Sequence, residues 1–174
     1  LANMGYQVVW TRNERTDDST LYSYLNKTYA SRIEKLINDR IAGISLYSFQ
    51  KNWLKWLIRF EPQKSISDKF FLKVAQSWGQ VWTKNKWRQF KKWYLEHSVF
   101  DKSDKLPSAL NGWPESSWLK YHDRYCIETG RYFVYPYVSL TTNYSDAGEH
   151  NHFTVTDHQV ELQYGKNKYC FDAF

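Results

Sequence analysis

The sequence predicts a layered domain of mixed helix and strand (α/β, of the α+β kind), with a few short strands and about four helices. Two neighbouring patterns lead there. From Asp18 or Ser19 to about Asn38, the residues Leu21, Tyr24, Leu25, Thr28, Tyr29, Ile33, Leu36 and Ile37 recur at steps of three and four, the spacing of one helix face. After the polar break Asn38-Asp39, Arg40-Ile-Ala-Gly-Ile-Ser-Leu-Tyr47 is a compact run short enough for a buried strand. A helix feeding a strand is the unit of a layered fold. The third observation is that helix-like and strand-like stretches continue to alternate down the chain.

Tyr6 to Trp10 clusters β-branched and aromatic residues and reads as a short strand; Thr11 to Asp18 is a charged loop. The first helix carries Lys27, Arg32 and Lys35 on its polar face, and Asp18 or Ser19 can cap it. Lys51 to Phe60 is amphipathic, contains Trp53 and Trp56, and is stopped by Glu61-Pro62. Phe70 to Thr83 reads as strand and loop. Lys84 to about Glu96 reads as a helix with Trp87, Phe90 and Tyr94 on one side. Asp101 to Asn111 is a polar loop containing Pro107. Pro114 opens a helix to about Thr129, with Trp118, Tyr121 and Tyr125 on one face and Gly130 as its C-cap. Tyr132 to Leu140 is β-rich and broken by Pro136, which fits an edge or a bend. Asn143 to His152 is a polar loop around Gly148, and Val160 to Tyr164 alternates like a short terminal strand or arm.

No linker or low-complexity tract divides the chain, so residues 1–174 read as one domain, long enough to bury a sizeable core. No fixed-period repeat is present, which excludes solenoids and propellers. No apolar run approaches the roughly 18 to 20 residues needed to cross a bilayer. The opening Leu-Ala-Asn-Met-Gly has neither a basic n-region nor an initiator methionine, which a truncated N-terminus would explain. A cytoplasmic setting is expected, with the inner face of the membrane kept open. Cys126 and Cys170 read as reduced thiols. The net charge of +6 favours anionic partners, or serves solubility alone.

The aromatic content is more unusual: nine Trp, fourteen Tyr and ten Phe, many beside polar residues rather than inside apolar runs. Aromatic faces fill cores, and they also stack on sugars and bases.

Four groups of residues can carry chemistry. In Ser77-Trp78-Gly79-Gln80, Gly79 allows a turn where a side chain would block a ligand, and Trp78 offers a flat wall to a sugar ring; a buried turn with core tryptophans fits equally. In Trp113-Pro-Glu115-Ser-Ser-Trp118, a carboxylate between indoles can take a proton from a hydroxyl, or simply complement a helix dipole. Asp146 to His152, with Glu149, His150 and His152, can hold a divalent ion or be a solvated loop. Asp17-Asp18 after a strand-like segment can bind an ion bridging a diphosphate, although a helix cap accounts for Asp18. No G-x-S-x-G, Gly-rich phosphate loop or H-E-x-x-H is present.

Taken together, Ile41-Ala-Gly-Ile-Ser-Leu-Tyr-Ser48, Val74-Ala-Gln-Ser-Trp-Gly-Gln-Val-Trp-Thr83 with Trp87, Phe90, Trp93 and Tyr94, Ser117-Trp118 after Trp113-Pro-Glu115, and Tyr135-Pro-Tyr-Val-Ser-Leu-Thr-Thr-Asn143 running to Gly148-Glu-His150 resemble bacterial GT-A-type glycosyltransferases. The similarity is to family-two-like enzymes of polysaccharide and lipopolysaccharide synthesis and covers roughly residues 38 to 164. It implies a partial GT-A-like layered domain, the acceptor-side, C-terminal part of such an enzyme. It further implies a nucleotide-sugar donor, a glycan or lipid-linked acceptor, and Mg²⁺ or Mn²⁺. By matching position Glu115 would be the base, His150 a late histidine at the metal or diphosphate, and Ser77, Trp78, Gly79, Trp113 and Trp118 the substrate-binding wall. Asp17 and Asp18 alone stand where an acidic metal motif belongs, without the nucleotide-binding βαβ unit before it, and Gly-Glu-His replaces the relatives' Gly-Thr-His. The donor half is therefore expected to be incomplete.

Two other classes compete. The same aromatics would suit a non-catalytic carbohydrate-binding module. Charge with interleaved aromatics would suit nucleic acid, ranked last because Lys and Arg are spread over several segments. Peripheral membrane contact through the basic Lys84 to Lys92 stretch is left open.

Overall fold

The computed structural model describes residues 6–9, 40–52, 58–97, 99, 106–143, 158–166, 168 and 170. It is a mixed α/β structure in which helices pack on a five-stranded sheet. The strands are β1 (Tyr6–Val9), β2 (Ile41–Ser45), β5 (Lys69–Leu72), β6 (Gln80–Thr83) and β7 (Tyr132–Pro136), and the sheet order is β1-β6-β2-β7-β5. The central pair β2 and β7 is parallel, and the other neighbours are antiparallel. A separate hairpin pairs β3 (Lys51–Asn52) with β4 (Ile58–Arg59).

Strand β2 is buried along its whole length, which is why it reads as a continuous run rather than an alternation. The two faces separate cleanly. Ala42, Trp82, Phe133 and Tyr135 join one core with Phe90, Tyr125 and Cys126 from the helices. Ile41, Ile44, Val81 and Val134 form the other with Leu46 and Leu140. Phe133 and Tyr135 against Val134 follow the two-residue period of a strand. At Gly43, beside a register shift in β2, an added Cβ would lie 2.8 Å from the Phe133 ring, so glycine lets that ring cross the strand.

Helix α1 (Lys84–Glu96) starts where the side chain of Thr83 accepts the Lys86 N–H at 3.1 Å. It lays Trp87 and Phe90 against Trp82, with ring centres 4.6 and 5.5 Å apart. A single turn, α2 (Ser108–Asn111), follows Pro107, and α3 (Trp118–Glu128) packs beside α1. Helix α3 closes on Gly130 at φ +67, with the Arg131 N–H donating to the Cys126 carbonyl at 2.9 Å. Tyr132 then donates to Arg40 at 2.8 Å and begins the β7–β2 pairing.

Several boundaries differ from the sequence expectation. Helix α3 begins at Trp118, four residues after Pro114, because Ser117 is extended (ψ 102) and Pro114–Ser117 closes as a separate turn through a 3.0 Å bond. The polar stretch to Asn111 contains helix α2. Strand β7 is interior, not an edge; Pro136 is tolerated because the register with β2 ends at Val134. Val160–Tyr164 contributes one bridge, Leu162 to Ser139, rather than a strand. The ends of the 51–60 stretch pair as β3 and β4. The helix expected over 18–38, the segment 53–57 and most of the 143–152 loop lie outside the described residues. Cys126 is a buried free thiol and Cys170 an exposed one. No helix among the described residues is long and apolar enough to cross a membrane.

Candidate functional site

Three chain segments meet where the parallel pair β2 and β7 ends and β6 begins. Ser45, the last residue of β2, stands opposite Gln80, the first of β6. Leaving β2, Leu46 donates to the Gly79 carbonyl at 3.0 Å, and its own carbonyl accepts from Leu140 at 2.7 Å and Thr141 at 3.3 Å. The Ser48 N–H donates to the Ser139 hydroxyl at 2.8 Å, and the Thr141 hydroxyl donates to the Trp78 carbonyl at 2.5 Å. Segments 45–48, 76–80 and 139–141 are thus laced into one unit.

Gln76 holds its turn together. Its buried amide nitrogen donates to the Ser45 hydroxyl at 2.7 Å and to the Gly79 carbonyl at 2.8 Å, and its oxygen accepts the Trp78 N–H. Gly79 has φ +103, a conformation open to glycine and strained for other residues. An added Cβ there would also meet both branches of Thr141 at 3.1 Å and Leu46 at 3.3 Å. The glycine serves close approach of protein to protein as well as the turn.

Trp78 is half-buried and projects from this turn. One neighbour is Tyr47, ring centres 4.9 Å apart; another is His158, at 4.6 Å and 36° between planes. The phenol of Tyr47 donates to the His158 carbonyl at 3.0 Å, which fixes the backbone carrying that imidazole. Burial pushes the Tyr47 phenol well above its ordinary range, so it stays a neutral donor. His158 arrives on a strap that recrosses the sheet end. Val160 donates to the Thr142 hydroxyl at 2.8 Å and Gln163 to the Ser139 carbonyl at 2.7 Å. Farther along, the Asp68 carboxylate pairs with Lys166 and accepts the Cys170 N–H at 2.6 Å.

The second expected group is built differently from the first. Glu115 is exposed in the Pro114–Ser117 turn and does not sit in a desolvated slot between indoles. Its charge acts on Tyr121, whose phenol is held above its ordinary range first by burial, then by Tyr94 and Glu115. Trp113 is half-buried, and its carbonyl accepts the ammonium of buried Lys120 at 2.7 Å. Trp118 is 38% exposed and leans on His122, ring centres 6.1 Å apart. Trp78 has Tyr47 and His158 as ring neighbours, whereas the charge of Glu115 acts on Tyr121. Ser77 is half-buried beside Trp78.

His122 and Asp123 on α3 are sealed away from solvent. His122 is boxed by Trp82, Phe90 and Phe133 at 4.3 to 4.9 Å, and burial lowers its pKa to about 3, leaving a neutral ring. Asp123 accepts the Ala75 N–H with one oxygen while the other has no hydrogen-bond partner among the described residues, and burial pushes its pKa well above the usual carboxylate range. Asp123 ties α3 to the Val74–Gly79 segment, and His122 packs it against Trp82 and Phe133 of the sheet and Phe90 of α1.

Asp17, Asp18 and His150, the expected metal ligands, lie outside the described residues. Among the described residues no three His, Cys, Asp or Glu side chains gather into a group that fits an ion.

No protein family, curated protein or solved structure matches the chain.

The residues that sequence reasoning did not single out are Tyr47, Gln76, Thr141 and His158. Tyr47, Gln76 and Thr141 fall inside the runs quoted for the resemblance, so a signal for their segments existed. His158 had none, because its place depends on the strap.

Proposed function

We propose that the chain is the acceptor-side portion of a glycosyltransferase, moving a sugar from a nucleotide-sugar donor to a glycan or lipid-linked acceptor in polysaccharide biosynthesis. One observation carries the reading. The runs 41–48, 74–83 and 135–143, in which the resemblance lies, are distant in sequence and laced together around Trp78 and Gly79. They meet at the carboxyl ends of parallel strands, where open α/β sheets commonly hold ligands. An indole half-exposed at such a place offers a flat apolar face to the C–H side of a pyranose ring.

In this reading an acceptor hydroxyl attacks the anomeric carbon of the donor. The bond to the nucleoside diphosphate breaks, the diphosphate leaves, and the hydroxyl proton passes to a carboxylate. Glu115 is the candidate for that role by resemblance; its exposure leaves it accessible to an acceptor, and burial does not assist it. An Mg²⁺ or Mn²⁺ ion would neutralise the diphosphate when bound.

The exposed ring of Trp118 favours a second reading, glycan binding without transfer. Thermal unfolding of the chain with UDP- and GDP-sugars, each with and without Mn²⁺, and with neutral oligosaccharides separates the two. A rise in midpoint that needs nucleotide sugar and metal together supports transfer. A rise with oligosaccharide alone, indifferent to both, supports the binding module. No rise with any of them contradicts both.

A further inference from the structure

The outer face of α1 is not used by the site above. Its inner face packs Trp87, Phe90 and Trp93 into the core, while Lys84, Arg88, Lys91 and Lys92 stand exposed on the outside. Lys84, Arg88, Lys91 and Leu95 follow at steps of four, three and four, so they lie in one stripe along the helix. None of the four cations is in an ion pair among the described residues. The stripe changes character at its end. Leu95 is 66% exposed, Val99 just past the helix is 71% exposed, and Tyr94 flanks them.

We propose that this face docks on an anionic lipid bilayer, the cations lying at the phosphate level and Leu95 and Val99 entering the acyl boundary. The charge is complementary to such a surface, and a helix with cations on its outer face and apolar residues at one end matches the polarity gradient of a headgroup layer. A nucleic acid would use the same cations but gives two exposed aliphatic side chains nothing to contact. Solubility alone would account for the lysines and not for the aliphatic end of the stripe.

Flotation of the chain with vesicles tests this. Phosphatidylcholine vesicles containing about 30% phosphatidylglycerol should carry the protein at low ionic strength and release it as salt is raised, while pure phosphatidylcholine vesicles should not carry it. Replacing Lys84, Arg88, Lys91 and Lys92 together by Ala should lower partitioning on the order of a hundredfold, and replacing all three lysines by Arg should preserve it. Leu95→Asp should weaken binding roughly tenfold with the charges intact. All five substituted positions are exposed, so circular dichroism should show each variant folded. Absence of binding to the anionic vesicles, equal binding to neutral ones, unchanged partitioning of the four-fold Ala variant, or tighter salt-dependent binding to a 20-base DNA duplex would each overturn the proposal.

Discussion

The indole of Trp78 lies against the imidazole of His158, ring centres 4.6 Å apart, although eighty residues separate them in sequence. The contact depends on two independent devices. A glycine turn braced by Gln76 presents the indole, and a C-terminal strap clasped by Asp68 presents the imidazole. The candidate site is a junction between long-range connections, and each connection can be cut separately.

Gly79→Ala should destabilise the protein by about 2 to 4 kcal/mol, combining a positive-φ penalty with the crowding of Thr141 and Leu46. Denaturant unfolding should show a lower midpoint with an unchanged slope. An effect within about 0.5 kcal/mol would mean that the turn relaxes freely.

Gln76→Ala should cost about 1 to 3 kcal/mol, because the Trp78 N–H and the Ser45 hydroxyl lose a buried partner. Gln76→Glu keeps an acceptor for the Trp78 N–H but takes two donors away, and should also destabilise. Thermal unfolding of both variants checks the bracing role.

His122 is neutral in the folded protein down to about pH 3, whereas an unfolded histidine takes up a proton near pH 6.5. Between those values the unfolded state binds the extra proton, so this group makes stability fall as pH falls, with a limiting slope of about 1.4 kcal/mol per pH unit. Its Nδ1 has no hydrogen-bond partner among the described residues, so His122→Phe should be tolerated and should flatten the acid side of the stability profile. Urea midpoints measured from pH 7 to pH 4 read this directly, and identical slopes for the two proteins would contradict the assignment.

Asp123→Asn should be nearly neutral at pH 7, because an amide oxygen can accept the Ala75 N–H as the carboxyl oxygen does. Asp123→Leu should cost about 1 to 3 kcal/mol by leaving that N–H unpaired. The difference between the two variants isolates the hydrogen bond from the volume of the side chain.

Burial alone would raise the Asp68 carboxyl, but the Lys166 hydrogen bond and charge and the Cys170 N–H outweigh it and lower its pKa overall. A carboxylate lowered in this way stabilises the clasp above the ordinary carboxylate range and loses that contribution as pH falls below it. The group is partly solvated, so the effect on global stability is small. Asp68→Asn should instead raise hydrogen exchange locally over 158–170 at neutral pH, with little change in the sheet.

Much of the fold was legible because its signals are local. Helix α1 follows from the Trp87-Phe90-Tyr94 spacing, and Gly130 marks the end of α3. The start of α3 was misread because Pro114 suits a first helical turn, whereas Pro114 and Ser117 close a turn of their own. Pro136 fits an edge or a bend by sequence, whereas β7 is interior and the proline falls just past the last pair with β2. In the site, Trp78 and Gly79 were visible as a turn with an aromatic. Their partners were not, since Thr141 and His158 reach them through bonds and ring contacts that no local spacing encodes.

The central claim is that the Trp78 shelf holds a carbohydrate. Calorimetric titration of the wild-type chain and Trp78→Ala with a set of UDP- and GDP-sugars and neutral oligosaccharides tests it most directly. The account predicts that at least one of these binds the wild type, that Trp78→Ala weakens it about tenfold or more, and that Trp78→Phe restores part of the loss. Equal affinity of the wild type and the alanine variant for every ligand that binds, or no binding by the wild type at all, would contradict it.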